Sequence, residues 1–147
     1  MRTNKKIVVA ICVPDIMGAG GAETDARSLL MNLGEEFSPV VFSRSAFSPF
    51  TSVRLPTYYT MPFARSGIRG RLRVLFFPLM MIVTFLMSLL AFANMRIDLV
   101  HVQMGFVSNL PILLSARILK KHILLVVLGP IEINVGPRIL LRLLIDA

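Results

Sequence analysis

Along the 147 residues the apolar positions fall into blocks whose period changes. Lys6 to Val13 (KIVVAICV) is a continuous β-branched run, the pattern of a strand covered on both faces in a parallel sheet. Gly18, Gly20 and Gly21 break the chain, and from Glu23 the period becomes helical, with Ala26, Leu29, Leu30 and Leu33 on one face and Gly34 near its end. The first unit is therefore predicted as strand, glycine loop, helix. Pro39 to Ser43 predicts a second strand, Ser45 to Pro56 a polar loop, and Thr57 to Met61 a third strand. Val74 to Met95 then runs for 22 residues without a charge. It is followed by a strand at Asp98 to Val102, an amphipathic helix at Ser108 to Lys121 capped by Ser108 or Asn109, and a buried strand at Ile123 to Leu128. Pro137 to Ala147 regains a helical period with Arg138 and Arg142 on its polar face. Strands alternating with helices predict one α/β domain built on a Rossmann-like, doubly wound parallel sheet. Such a sheet ordinarily adds a strand after this helix, so the expectation is a truncated piece of a longer chain.

Composition changes that picture in one respect. Hydrophobic residues make up 55% and charged residues 16%, against roughly 45–50% and about 25% in ordinary soluble domains. Mean hydropathy is +0.74. Part of the surface is therefore expected to meet lipid or another protein. The segment 74–95 meets the length rule of about 20 residues for a spanning helix. A span, however, would put the first strand and the Asp98 strand on opposite sides of the bilayer, where they could not share a sheet. The expectation is a helix packed on the sheet with its outer face in the lipid interface, and with Pro78 in its first turn or at a kink. The competing readings are a true span and a wholly buried core helix.

Sixteen Lys and Arg against eight Asp and Glu give a net charge of +8. The basic residues cluster at Lys5-Lys6, at Arg65, Arg69, Arg71 and Arg73, and at Lys120-Lys121. Such clusters suit anionic headgroups. The chain has no Trp, and its two Tyr are adjacent at 58 and 59, so the stacking residues of a single-strand binder are missing and no nucleic-acid partner is expected. The single cysteine, Cys12, lies in an apolar run and reads as a core residue of a protein in a reducing compartment. No secretory signal is visible, and the domain is expected on the cytoplasmic side of the membrane, peripheral or monotopic.

Candidate chemistry concentrates in the loop from Gly18 to Thr24. Glycines there let the backbone approach a ligand, and a helix N-terminus attracts anions. It lacks the Gly-Lys-Ser/Thr of a P-loop, and position 23 of its Gly18-x-Gly20 run is Glu where a dinucleotide fingerprint needs Gly or Ala. A dinucleotide-dependent oxidoreductase would also need an acid ending the second strand, where Ser43-Arg44 stands. Glu35-Glu36 reads as a solvated pair, His122 as structural, and no cluster of metal ligands is evident.

Gly20-Gly21-Ala22-Glu23, after the first strand and opening a helix with Leu29-Leu30-x-x-Leu33, resembles the GGAE signature of family 4 glycosyltransferases. Asp98-Leu99-Val100-His101-Val102 resembles that family's D-x-V-H-x-H strand, Ile123 to Pro130 the strand and glycine turn that follow, and Leu143 to Ala147 the end of the next helix. The pieces keep the family's order over nearly the whole chain. The resemblance implies the N-terminal, acceptor-side half (residues 1–147, incomplete) of a GT-B glycosyltransferase, with a nucleotide sugar as donor substrate. It further implies a missing C-terminal donor-binding domain, no required metal or cofactor, and a membrane lipid or lipid-linked acceptor. Alone, the chain is expected not to turn over. Gln103 replaces the second histidine of the strand motif, and Leu128 stands where a histidine often precedes the glycine turn. The candidate contacts are Gly20, Gly21 and Glu23 from the first loop and Gln103 and Gly129 from later strand ends, with His101 as the catalytic candidate. The alternatives are a non-catalytic membrane protein with one spanning helix and a nucleotide-dependent Rossmann oxidoreductase.

Overall fold

A computed structural model describes residues 5–56, 67–103 and 106–126, with the side chains of 67–75 and 106–108 left out of the description. Five strands, β1 (Ile7–Cys12), β2 (Phe37–Ser43), β3 (Thr51–Arg54), β4 (Leu99–Gln103) and β5 (His122–Val126), form one sheet in the order β3-β2-β1-β4-β5. Every pairing is parallel. Helix α1 (Gly21–Asn32) connects β1 to β2, α2 (Gly67–Asn94) lies between β3 and β4, and α3 (Phe106–Ile118) between β4 and β5. The predicted α/β class and parallel sheet are therefore present. β1 is central, with Cys12 opposite Phe42 of β2 on one side and Val102 of β4 on the other.

Alternation along the strands divides the core into two layers. Val9, Ile11 and Val13 pack with Ala26 and Leu30 of α1. Ala10, Cys12, Val100 and Val102 face the other way, onto Phe92 of α2 and Ile112, Leu113 and Ala116 of α3. Cys12 is fully buried, and burial pushes its thiol well above its ordinary pKa, so it is an inert core residue.

Several expectations are corrected. The third strand forms at Thr51–Arg54, inside the segment read as a polar loop, because pairing with Val40 to Ser43 supplies the order that its own polar sequence lacks. The strand expected at 57–61 lies outside the described residues, as do the helix at 137–147 and Gly129. Helix α2 begins at Gly67, so Pro78 stands in its interior and not its first turn. Helix α3 begins at Phe106, which puts Asn109 inside the helix and not at its cap position; its side-chain amide donates to the Gln103 carbonyl at 3.1 Å. Among the described residues β5 is the last strand of the sheet, with Ile123 and Leu124 partly open to solvent, where a buried strand was expected.

Helix α2 is inverted relative to an ordinary surface helix. Its buried stripe is Thr84, Ser88 and Phe92, while Leu79, Ile82, Leu86 and Leu90 face outward. Ser88 meets Ser115 of α3 hydroxyl to hydroxyl at 2.8 Å, and the carbonyls of Phe85 and Pro111 complete that buried junction. Among the described residues nothing covers that outer face, which argues against a wholly buried core helix. Since β3 and β4 belong to one sheet, both ends of α2 also lie on the same side of any bilayer, which argues equally against the span.

Candidate functional site

The sheet order turns around between β1 and β4, from which the chain proceeds outward in opposite directions, and crevices at the carboxyl ends of such strands are where open α/β sheets take ligands. Two sets of residues converge on this edge. The first is the β1–α1 loop. Gly18 N–H donates to the Asp15 carbonyl at 2.8 Å, closing a turn. Arg27, one turn into α1 from Glu23, reaches back so that its Nη1 donates to the Ile16 and Gly18 carbonyls, both at 2.7 Å, and Nη2 to the Thr24 hydroxyl at 3.1 Å. From the other side Ser43, at the end of β2, accepts from Ile16 N–H at 2.7 Å. The loop is thus clamped by a guanidinium and a hydroxyl, neither of which the motif singled out. Arg27 had a sequence signal in its spacing of four from Glu23, which ordinarily indicates an ion pair. It pairs with carbonyls instead.

Glu23 folds its side chain beneath the loop. A β-carbon at Gly20 would collide with Glu23 Oε2, and one at Gly18 would lie 3.0 Å from Glu23 Cγ, whereas one at Gly21 would meet open space. Gly20 and Gly18 are small because Glu23 occupies the room, and Gly21 marks the open side of the loop. The N-terminus of α1 therefore already faces a carboxylate, which suits the helix dipole and disfavours the phosphate-cradling role that the glycines alone suggested.

The second set is the end of β4. Leu99 packs on the α1 face, and alternation places His101 and Gln103 on that face too, His101 beside Ile11 in register. His101 and Gln103 are both buried. Burial also holds the His101 imidazole below its ordinary pKa, in its neutral form.

Three buried side-chain polar atoms have no hydrogen-bond partner among the described residues: Glu23 Oε2, His101 Nδ1 and Gln103 Oε1. All three belong to residues singled out from sequence, and all three lie around the carboxyl edge of β1 and β4. An unpaired buried polar atom costs about 1–3 kcal/mol. Two of these atoms are oxygens that only accept and the third is a nitrogen of a neutral imidazole, so each can take a hydrogen-bond donor such as a hydroxyl.

Other features lie elsewhere. A cavity of about 430 Å³, lined by Lys5, Lys6, Ile7, Asp98, Leu99 and His122, opens at the amino edge of the sheet, away from these residues. Among the described residues no group of His, Cys, Asp or Glu could hold a metal ion. At the end of β2 the Ser43 hydroxyl is committed to the loop and Arg44 lies 3.9 Å from Asp15, so the acid that a dinucleotide enzyme presents to a ribose has no counterpart there.

No family model and no curated protein matches the sequence. Among solved structures, the crystal structure of MurG from Acinetobacter baumannii matches with a TM-score of 0.57 at 14% identity, over 90% of this chain. The fold is that of a GT-B N-terminal domain. The chain spans 38% of the length of that MurG chain.

The neutral state of His101 has a testable consequence. Its unfolded pKa is near 6.5 and its folded value is lower, so the stability it contributes is fully present above about pH 6.5 and is lost as pH falls through the folded value. Thermal melts should show stability declining below about pH 6.5, and His101→Gln should flatten that decline. An equal decline in the variant would assign it to other groups.

Proposed function

We propose that this chain forms the acceptor-side half of a glycosyltransferase that moves a sugar from a nucleotide-sugar donor onto a lipid-linked or membrane-surface acceptor, at the cytoplasmic face of a membrane. The observation that carries the reading is the trio of unpartnered buried atoms on Glu23, His101 and Gln103 at the switch point of a GT-B-like fold. These atoms accept hydrogen bonds, which is what an acceptor rich in hydroxyl groups requires. In this reading His101 Nδ1, unpaired on a neutral imidazole, accepts from the hydroxyl that becomes glycosylated, and Gln103 and Glu23 accept from its neighbours. Gly20 and Gly21 keep the loop close to the bound group, and Gly129 belongs to the same proposal by its motif alone. The donor is held by a second domain, and the reaction needs no resident metal or cofactor.

The test uses the full reading frame that encodes this chain. Membranes from cells expressing it are incubated with radiolabelled nucleotide sugars, with and without EDTA, and label is sought in the organic-solvent extract. Lipid-extractable label, insensitive to EDTA and reduced at least tenfold by His101→Ala and by Gln103→Ala, is the expected result, since each substitution removes a hydrogen bond worth roughly 1–3 kcal/mol in a desolvated site. Label that persists undiminished in both variants would remove the crevice from the reaction.

A further inference from the structure

At the amino edge of the sheet β1 overhangs its neighbour. Ile7 already pairs with Phe37 of β2, but pairing with β4 begins only at Val9 opposite Leu99, and β5 starts level with it, His122 opposite Leu99. This step leaves a notch beside Lys5, Lys6 and Ile7, the cavity of about 430 Å³ whose other walls are Asp98, Leu99 and His122. Its volume lies within the roughly 300–1,000 Å³ of sites that enclose small ligands. Asp98 is fastened in place there: its Oδ2 accepts from Val8 N–H at 2.9 Å, and its own N–H donates to the Val8 carbonyl at 2.9 Å. The overhanging backbone is satisfied in this way, which gives the notch one fixed wall.

Cations gather at this edge. Arg96 precedes β4, Lys120 and Lys121 precede β5, and with Lys5 and Lys6 they make no ion pair among the described residues. Asp98 is the one acid on the β4–β5 side. On the β2 side Glu36 turns its carboxylate back onto Gly34, where a β-carbon would collide with it. Arg96 and Lys120 follow the C-termini of α2 and α3 and are the only described non-glycine residues with positive φ, at 48° and 51°. Glycine takes that conformation without strain, yet a cation stands at both positions. The carbonyl ends of the two helices would repel an anion, and a cation past each offsets that repulsion. Lys5 and Lys6 follow no helix, so the helix dipoles do not account for them; both are exposed and line the notch.

We propose that the notch binds a small soluble phosphate monoester, its phosphate held by Lys5 and Lys6 and its apolar body covered by Ile7, Leu99 and the lysine stems. Lysine suits the task as a compact charge on a flexible stem, three donors of which can meet phosphate oxygens. Concavity decides between sources of phosphate: a cavity takes a discrete molecule, whereas a leaflet presents its headgroups in a plane. Asp98 narrows the class, since a ligand carrying a carboxylate besides its phosphate would meet a like charge in the notch. The site is separate from the crevice described above. Asp98 immediately precedes β4, and His101 and Gln103 stand toward its far end, so the two sites lie at opposite edges of the sheet. The proposal therefore holds whether or not the chain serves a glycosyltransferase.

Calorimetric titration of the protein, expressed from its full reading frame, with phenyl phosphate and with inorganic phosphate tests the site. Salt is kept at about 0.15 M, where charges more than about 8 Å away are screened. Phenyl phosphate should bind about tenfold more tightly than inorganic phosphate, because its ring leaves water. Lys5→Gln with Lys6→Gln should lower the affinity for both by about tenfold or more. Both side chains are exposed, so the melting temperature without ligand should stay unchanged. Asp98→Asn should act in the opposite sense and tighten binding: an amide oxygen still accepts from Val8 N–H, while the like charge is gone. Arg44→Gln with Arg54→Gln removes the same charge at the carboxyl edge and should change affinity by no more than about twofold. An equal loss in that pair would reduce the binding to net charge and overturn the site. Absence of binding by the folded protein, or binding undiminished in the lysine pair, would overturn it as well. Capture by phosphatidic acid vesicles that needs Lys5 and Lys6 and that phenyl phosphate does not displace would replace the soluble ligand with a headgroup.

Discussion

Phe92→Ala should destabilise the domain by about 3–5 kcal/mol, a large part of the roughly 5–15 kcal/mol that holds a domain of this kind together. Phe92 is fully buried, and its ring stands 5.0 Å from that of Phe42 at 53°, a tilted aromatic contact between α2 and β2. It is also the one large side chain on the buried stripe of α2, whose other members are Thr84 and Ser88. Thr84 contributes a hydrogen bond to the Pro56 carbonyl at 3.0 Å, and Ser88 the link to α3. Net contributions of such bonds are near 1 kcal/mol each, so hydrophobic attachment of the C-terminal half of α2 to the sheet falls mainly on one ring. Urea unfolding followed by circular dichroism measures the loss. Phe92→Leu, which keeps most of the volume, should cost less than about 1.5 kcal/mol, and Leu86→Ala on the outer face about 0.5 kcal/mol or less. A cost for Leu86→Ala equal to that of Phe92→Ala would mean that the outer face is covered and that the helix is not inverted.

That inversion was beyond reach of the sequence for a physical reason. Between Val74 and Met95 both faces are uncharged, so periodicity cannot say which is buried, and the hydroxyls of Thr84 and Ser88 ordinarily point to a solvent face. Here they bond to a partner helix and a loop carbonyl, satisfying their polarity inside. The start of α2 was hidden as well, because Gly67, Gly70 and three arginines precede the apolar stretch and read as a loop. β1, β2 and β4 were legible because strands covered on both faces are apolar along most of their length, whereas the order β3-β2-β1-β4-β5, and with it the switch point, comes from the structure. The strand at Thr51–Arg54 was missed because an edge strand carries no such requirement: Thr51, Ser52 and Arg54 surround a single Val53, and its identity comes from the register with β2. Glu23, His101 and Gln103 were singled out through motif order, and the structure adds that each holds an unpaired buried atom. What no motif could supply was the clamp, because Arg27 and Ser43 act through backbone carbonyls and an amide that any sequence presents.

Ser43→Ala should loosen that clamp at a cost of about 1–3 kcal/mol, the penalty for leaving a buried amide without an acceptor. Ser43 is 1% exposed, and its hydroxyl is the acceptor for the N–H of Ile16, itself fully buried. Next to it the Arg44 N–H donates to the Pro14 carbonyl at 3.1 Å, so β2 holds the first loop through two adjacent residues, one by side chain and one by main chain. Removal of the hydroxyl leaves the main-chain bond in place, which predicts local loosening in addition to the loss of global stability. Amide hydrogen exchange at Ile16, Met17 and Gly18 should accelerate more than at β1, which remains paired on both sides. The nearby Arg44–Asp15 pair makes an internal comparison: at 3.9 Å and with both side chains open to water, its removal by Arg44→Ala should cost no more than about 1 kcal/mol. Because the carbonyls of Ile16 and Gly18 are also the ones Arg27 grips, a loop freed at Ser43 shifts its load to the guanidinium, and Ser43→Ala with Arg27→Ala should cost more than the two single losses added. Strict additivity, with exchange at Ile16 unchanged in Ser43→Ala, would show that the loop keeps its shape through Gly18, Gly20 and Glu23 alone.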